Sequence, residues 1–180
     1  MDTSAALDYL NELTDIVPDF PRPGILFRDL TPVLADARAL HAIIDEIVAP
    51  FAGEFTAIAG IEARGFLLAS AAAYATGVGA LTIRKAGKLP GTVIRRSYAL
   101  EYGEATLEMH PDALDADSRV LLLDDVLATG GTLEASASLV EQTGATVVGM
   151  GVALELAGLG GRETLTPRYR LHSLQTVTEG

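Results

Sequence analysis

Residues 120–132 constrain the fold more than any other part of the chain. Four apolar residues, 120–123, run directly into Asp124 and Asp125 and then into a loop of small residues. Such an apolar run is typical of a strand buried on both faces of a parallel sheet. In open α/β sheets, ligands bind outside the carboxyl ends of the strands. The two acids are therefore predicted to lie at a ligand-binding site.

The rest of the chain alternates short aliphatic runs with helical periodicity, which is typical of an α/β fold with a central, mostly parallel sheet and flanking helices. An opening helix is predicted to continue to Val17, because Pro18 would end it, and Asp36 is expected to cap a second helix. Further elements are predicted as strands at 55–60, 79–84, 120–123, 147–156 and 169–174, helices at 66–76 and 132–142, and an exposed hairpin rather than core sheet at 91–110.

Composition excludes several classes of protein. The 180 residues, 49% of them hydrophobic, predict a single globular domain over 1–180. A net charge of -11 argues against binding long nucleic acids, and no apolar run is long enough for a membrane span. The absence of cysteine excludes disulfides and thiolate catalysis and fits a cytoplasmic protein. The three histidines show no metal-ligand spacing, so no protein metal site is expected.

The small-residue loop has the features of a phosphate site. Glycines allow close approach of the backbone, threonines offer hydroxyl donors, and the N-terminus of the following helix favours an anion. Lysine is missing from this loop, so it is not a P-loop and is expected to bind a single phosphate. The residues assigned to this phosphate are Ala128, Thr129, Gly130, Gly131 and Thr132.

The acid pair requires its own explanation, because carboxylates repel a phosphate. A vicinal diol supplies one, since two adjacent ribose hydroxyls can donate to Asp124 and Asp125 while the 5′-phosphate lies in the loop. The alternative is a solvated turn with capping acids. The position of the pair directly after a buried strand favours the ribose.

This block resembles the ribose-phosphate motif of the type I phosphoribosyltransferases, which bind phosphoribosyl pyrophosphate (PRPP). Segments 20–29, 60–66, 84–90 and 98–103 resemble that family in the same order. The resemblance implies the type I phosphoribosyltransferase fold, with a small hood at about 18–32 and 155–175 and a flexible β-hairpin flap at about 90–110. It also implies a homodimer.

Every charged residue between Ala63 and Leu100 is basic, which predicts a site for pyrophosphate. The resemblance implies that the turn at 60–63 is the pyrophosphate loop, whose backbone in the family often contains a cis bond that does not involve proline. Mg²⁺ is the expected cofactor, held mainly by oxygens of the substrate. The residues assigned to pyrophosphate are Arg64, Arg84, Lys85 and Lys88, whereas Arg95 and Arg96 are interpreted as a solvated basic face.

The predicted flap would exclude water from a reactive ribosyl cation. The resemblance assigns Glu101 as the catalytic group that handles the purine N–H proton, and it places Tyr102 beside it on the flap. Glu104 is the competing candidate. From the residues alone, neither glutamate can be preferred over the other.

The resemblance assigns the purine base to a small apolar site. Phe27 and Leu156 would sandwich the ring, while the backbone around Leu26 and Arg28 reads its edge. On sequence grounds, Phe27 and Leu156 could equally be ordinary core residues.

Together with these features, the resemblance implies transfer of the phosphoribosyl group of PRPP to adenine, giving AMP and pyrophosphate. One alternative is the same reaction on another purine, such as hypoxanthine, guanine or xanthine. A second is a regulator that senses PRPP without turnover, which would call for a basic DNA-binding extension that this acidic chain lacks.

Overall fold

The computed structural model describes residues 3–99 and 103–178, in which helices pack on both faces of a central sheet. The helices are α1 (Thr3–Leu13), α2 (Thr31–Ala35), α3 (Ala37–Val48), α4 (Gly65–Thr76), α5 (Gly131–Gln142) and α6 (Gly161–Leu165), with a 3-10 turn at Ala49–Phe51. The strands are β1 (Asp15–Pro18), β2 (Leu26–Asp29), β3 (Ala57–Ile61), β4 (Gly79–Lys85), β5 (Ile94–Ala99), β6 (Glu104–Met109), β7 (Arg119–Leu127), β8 (Thr146–Ala157) and β9 (Leu171–Thr178).

Seven strands form one sheet in the order β5-β6-β4-β3-β7-β8-β9. The five strands from β4 to β9 in this order are parallel, whereas β6 is antiparallel to both β4 and β5. The predicted α/β class with a mostly parallel sheet is thereby confirmed. The centre of the sheet is the pair of β3 and β7, in which Ala57 lies opposite Val120 and Gly60 opposite Leu123.

The chain leaves these two central strands in opposite directions. Helix α4 follows β3 and leads to β4 on one side, whereas α5 follows β7 and leads to β8 on the other. Such a topological switch point opens a crevice outside the carboxyl ends of the strands, where α/β folds bind ligands. The turn after β3 and the end of β7 therefore lie at the same crevice.

Strand β7 is buried on both faces, as its apolar run predicts. Leu121 and Leu123 belong to the core formed with α1, α3 and α4, whereas Val120 and Leu122 belong to the core formed with α5. Each fully buried leucine contributes roughly 1.5–3 kcal/mol of hydrophobic stabilisation. Burial on both faces fixes β7 firmly, and the acids at its end with it.

The cap of the second predicted helix is also confirmed. The carboxylate of Asp36 accepts hydrogen bonds from the backbone N–H groups of Arg38 and Ala39, both at 2.9 Å, at the start of α3. A cap of this kind contributes about 1 kcal/mol.

The opening helix is shorter than predicted. It ends at Leu13, and residues Asp15–Pro18 form β1, which pairs antiparallel with β2. The prediction of helix to Val17 was wrong because the β-branched Ile16 and Val17 gain backbone hydrogen bonds from β2, and because Pro18 disfavours helical backbone at the residue before it.

The hairpin predicted at 91–110 exists, since β5 and β6 pair antiparallel from Ile94–Met109 to Ala99–Glu104. Its assignment as exposed rather than core sheet was wrong for β6. Arg84 and Lys85 of β4 pair with Glu108 and Leu107, and both Leu107 and Met109 are buried. Pairing with β4 thus brings β6 into the main sheet.

Within the described ranges, no helix has the length and apolar character needed to cross a membrane.

Candidate active site

The crevice is built on the turn that follows β3. A Cβ atom on Gly65 would lie 2.8 Å from the carbonyl oxygen of Leu123, so only glycine allows α4 to begin this close to β7. The preceding peptide bond, between Glu62 and Ala63, is cis, the feature that the family resemblance implies for this turn. Arg64 follows this turn as the N-cap residue of α4 and pairs with Asp125 of β7.

Asp124 and Asp125 lie inside β7, at its carboxyl end, rather than beyond the strand. The carboxylate of Asp124 accepts the backbone N–H of Asp125 at 2.9 Å. Burial raises the pKa of Asp124 well above its ordinary value, and the neighbouring charge of Asp125 raises it further. Two adjacent carboxyl groups offer several acceptor oxygens at one end of the strand, so this pair suits hydroxyl ligands.

Arg64 connects the acids to β2. Its Nε donates to a carboxylate oxygen of Asp125, and its guanidinium lies over the ring of Phe27, 5.6 Å from the ring centroid. The Asp125 side chain is only 10% exposed, so the guanidinium compensates a charge that water scarcely reaches.

Three cavities adjoin at the end of β7. The largest, about 510 Å³, contains the acids, Arg64 and Lys85, and we call it the main cavity. A second of about 70 Å³ follows the loop from Leu127 to Leu133, and a third of about 140 Å³ lies between β2 and β8. Asp124 and Thr132 line both the first and the second, Arg64 lines both the first and the third, and Val126 lines both the second and the third. A ligand with three parts could therefore occupy all three at once.

The second cavity is lined by the predicted phosphate loop. Gly130 has a φ of +86°, which places the loop backbone in a conformation that glycine adopts without strain, and α5 begins at the next residue. The N-terminus of α5 therefore faces this cavity with its unpaired N–H groups, which favours an anion there. Thr132 lines the same cavity and donates its hydroxyl to Tyr98 at 3.1 Å.

The four residues assigned to pyrophosphate divide into two pairs. Arg64 and Lys85 line the main cavity, whereas Arg84 and Lys88 are not among its lining residues. The guanidinium of Arg84 donates to Glu62 at 3.2 Å and to the backbone carbonyl of Lys88 at 3.1 Å. Arg84 thus holds the loop that carries Lys88.

A buried carboxylate holds the same loop from the other side. Glu108 of β6 has no exposed surface and accepts the backbone N–H groups of Lys88 and Leu89, both at 2.8 Å. The hydrogen bond from Leu89, together with those from neighbouring backbone groups and Arg95, lowers the pKa of Glu108 to about 2. The loop is therefore fixed by a carboxylate that stays ionised.

The third cavity is largely apolar and gathers all four residues assigned to the base. Leu26, Phe27 and Arg28 reach it from β2, and Leu156 reaches it from the end of β8. Phe20 packs edge-on against Phe27, with 5.1 Å between the ring centroids. The position of Phe27 and Leu156 at a cavity rather than deep in a core favours the ligand role over the structural one.

Glu101 and Tyr102 lie outside the described residues, so the catalytic assignment stays a prediction. The competing Glu104 is the first residue of β6 and is exposed. Among residues 3–99 and 103–178, no group of three or more histidine, aspartate or glutamate side chains is placed to hold a metal ion.

Three residues near the site were missed by the sequence analysis. Tyr98 lines the main cavity from β5, and Glu62 and Glu108 position the basic loop. Glu62 lies inside segment 60–66, which resembles the family, and this resemblance could have identified it. For Glu108 there was none, because strand alternation next to the buried Leu107 and Met109 predicts a solvated acid.

A family model described as a phosphoribosyl transferase domain matches residues 29–175. An adenine phosphoribosyltransferase of Clavibacter michiganensis subsp. michiganensis is 66% identical over 165 residues, which cover 92% of this chain and 94% of that protein.

Solved structures show the same relationship. The adenine phosphoribosyltransferase of Rhodothermus marinus superposes with a TM-score of 0.90 at 44% identity, covering 97% of this chain and 99% of that one. The enzyme of Saccharomyces cerevisiae, complexed with an imino-altritol bisphosphate and adenine, gives a TM-score of 0.86 at 36% identity, covering 94% and 99%.

Proposed function

The chain belongs to the phosphoribosyl transferase family, and from that premise we propose that it transfers the 5-phosphoribosyl group of PRPP to adenine, giving AMP and pyrophosphate. The observation that carries this proposal is the junction of three cavities at the end of β7, one apolar, one at a helix N-terminus and one with both acids and bases. A base, a phosphate and a ribosyl pyrophosphate require those three environments, in contact with one another.

In the proposed reaction, a ring nitrogen of adenine attacks C1′ of the ribose. The bond between that carbon and the pyrophosphate oxygen breaks, its electron pair leaves with pyrophosphate, and the proton of the attacking nitrogen passes to a base. Family resemblance assigns this base as Glu101. Asp124 and Asp125 would hold the ribose hydroxyls, which fixes C1′ between the attacking and leaving groups.

The phosphate would lie at the N-terminus of α5, where Ala128, Thr129, Gly130 and Thr132 line the second cavity. Lys85 lies in the main cavity, and Lys88 is carried by the adjacent loop that Arg84 and Glu108 fix. Both lysines would stabilise the charge that develops on departing pyrophosphate.

Magnesium is part of this proposal. The main cavity fits the ion because its donors are carboxylate oxygens, and Mg²⁺ is usually bound by one or two carboxylates together with substrate phosphates. Asp125 already pairs with Arg64, so the oxygens of PRPP would supply most of the ligands, with Asp124 ionised beside the cation. When bound, it neutralises part of the pyrophosphate charge.

The apolar cavity would receive adenine between Phe27 and Leu156, with the backbone around Leu26 and Arg28 at its edge. The S. cerevisiae relative, solved with adenine, supports this base over other purines. The homodimer, the cytoplasmic location and the hood and flap boundaries stay predictions.

The test is pyrophosphate release with PRPP and Mg²⁺ in the presence of adenine, hypoxanthine, guanine or xanthine, each supplied separately. We expect release with adenine alone. Release with another purine and not with adenine would transfer the assignment to that base. PRPP binding without release in any mixture would instead support the regulatory alternative.

A further inference from the structure

Tyr98 lies where the β5–β6 hairpin meets the phosphate loop. It is the next-to-last residue of β5, is partly buried, and lines the main cavity together with Asp124 and Thr132. Its phenolic oxygen accepts the hydrogen bond that the hydroxyl of Thr132 donates, at 3.1 Å. One side-chain contact therefore joins the hairpin to a residue assigned to the 5′-phosphate.

Backbone packing brings the two elements close enough for this contact. A Cβ atom on Gly131 would lie 3.1 Å from the ring of Tyr98 and 3.4 Å from the carbonyl oxygen of Ala99. A side chain at this position would push β5 away from α5 by a few tenths of an ångström. Glycine at the start of α5 thus allows β5 to pack directly on the phosphate loop.

The protons of the two hydroxyl groups limit what each can do. Thr132 has one proton, so while it donates to Tyr98 it cannot also donate to a phosphate. When the proton of Thr132 turns to a phosphate oxygen, the oxygen of Thr132 remains free to accept, and the phenol of Tyr98 can then donate to it. The result is a series of hydrogen bonds from Tyr98 to Thr132 and from Thr132 to the phosphate, in which each bond polarises the next.

We propose that Tyr98 is a positioning residue that links binding of the 5′-phosphate to the packing of the β5–β6 hairpin, acting through the hydroxyl of Thr132. This inference rests on the proposed function, because it takes Thr132 as a ligand of the 5′-phosphate. Tyr98 touches no reacting atom in this role. It orients Thr132, and in return the bound phosphate strengthens the contact that holds β5 on α5.

The test compares two anions that the proposed site accepts, only one of which carries a 5′-phosphate. Dissociation constants of AMP and of pyrophosphate are measured by calorimetry for the unchanged chain and for Tyr98→Phe. Loss of one hydrogen bond worth about 1 kcal/mol is expected to weaken AMP binding about 5-fold. Pyrophosphate binding is expected to stay unchanged.

A control is Tyr169→Phe, which removes the hydroxyl of a buried tyrosine that donates to Glu141 at 3.0 Å and lines none of the three cavities. It should leave both constants unchanged. In a Thr132→Val background, Tyr98→Phe should have no further effect on AMP binding, because the hydroxyl that connects Tyr98 to the phosphate is already absent. Circular dichroism checks that each variant is folded.

Equal weakening of AMP and pyrophosphate, or no change in either, would overturn the inference, as would additive effects of Tyr98→Phe and Thr132→Val. These outcomes differ from failure of the proposed function, which would appear as an unchanged chain that binds neither AMP nor pyrophosphate.

Discussion

Replacing Arg64 by methionine should destabilise the protein more than its partly exposed side chain suggests. Breaking a fully buried ion pair costs about 3–5 kcal/mol, and breaking an exposed pair costs about 0–1 kcal/mol. Arg64 is 34% exposed and Asp125 is 10% exposed, which places this pair between those limits. Loss of the contact with Phe27 adds about 0.5–1 kcal/mol, so we expect a total loss of about 2–4 kcal/mol.

A loss of this size should be plain in two measurements. In a domain of this length, each kcal/mol lowers the Tm by about 2–4 °C, so Arg64→Met should melt roughly 5–15 °C lower. Urea unfolding followed by far-UV circular dichroism should give the loss directly, as a lower midpoint at an unchanged slope. Methionine keeps much of the apolar part of the arginine side chain, so the loss of stability comes mainly from removal of the guanidinium charge.

Arg168→Met is the matched control. Arg168 also bonds a carboxylate, that of Glu141 at 3.0 Å, and lies over an aromatic ring, that of Tyr169 at 5.0 Å. Its side chain is 60% exposed and that of Glu141 is 36% exposed, so the ion pair and the ring contact together give an expected loss of about 0.5–2 kcal/mol, smaller than that for Arg64→Met.

Two results would refute this reasoning. Equal losses in Arg64→Met and Arg168→Met would show that burial of the carboxylate does not set the cost. Adding Asp125→Asn to Arg64→Met should restore part of the stability, because the uncompensated charge is removed. A further loss in the double variant would show that the unpaired carboxylate was not the cause.

Two further predictions concern pH. The raised pKa of Asp124 means that its ionisation costs stability as pH rises above the ordinary value of 3.8, so Asp124→Asn should be more stable than the unchanged chain at pH 7 and equally stable at pH 3. Urea unfolding at the two pH values measures this, and an advantage that persists at pH 3 would contradict it. The pKa of Glu108 is lowered from 4.5 to about 2, so its effect on stability changes with pH in the opposite direction. The ionised Glu108 stabilises the fold above pH 4.5, and this stabilisation is lost as pH falls towards 2. Glu108→Gln should therefore be less stable than the unchanged chain at pH 6, and the difference in stability should be smaller at pH 2.5. Melting curves at the two pH values measure this. A difference in Tm that is the same at both pH values would contradict stabilisation by an ionised Glu108.

The parts of the fold that the sequence predicted depend on neighbouring residues. The apolar run 120–123 is buried on both faces of β7, and Asp36 caps α3 through two nearby N–H groups. Strand burial and helix caps are local effects, and the position of the acids follows from them. The main cavity could be located for the same reason, because ligand sites lie at strand ends in this class of sheet.

The elements that were wrongly predicted depend on pairing with another strand. Leu107 and Met109 belong to a strand with weak alternation, and only pairing of β6 with β4 explains their burial. Val17 continues a helical pattern of apolar residues, yet it pairs with Phe27 of β2 in a strand. In both cases the deciding hydrogen bonds come from a strand that the local pattern does not reveal.

The same limitation changes the interpretation of the basic segment. The window between Ala63 and Leu100 contains only basic charges, but the fold pairs three of its four arginines with acids from outside that window. The pairs are Arg64 with Asp125, Arg84 with Glu62, and Arg95 with Glu108. These arginines therefore position loops and carboxylates, and most of their charge is already compensated.

The charge that remains determines which ligand the main cavity favours. Its lining carries three carboxylates, Glu62, Asp124 and Asp125, against two cations, Arg64 and Lys85. A bare polyphosphate would meet this excess of negative charge whenever Asp124 is ionised, a form that its raised pKa opposes and that a bound divalent cation favours. A polyphosphate that arrives with a divalent cation brings its charge already reduced, and its cation is attracted by the same carboxylates. Under the proposed function, the lining would therefore favour the magnesium complex of PRPP over free PRPP, which reconciles the acids of the cavity with an anionic substrate.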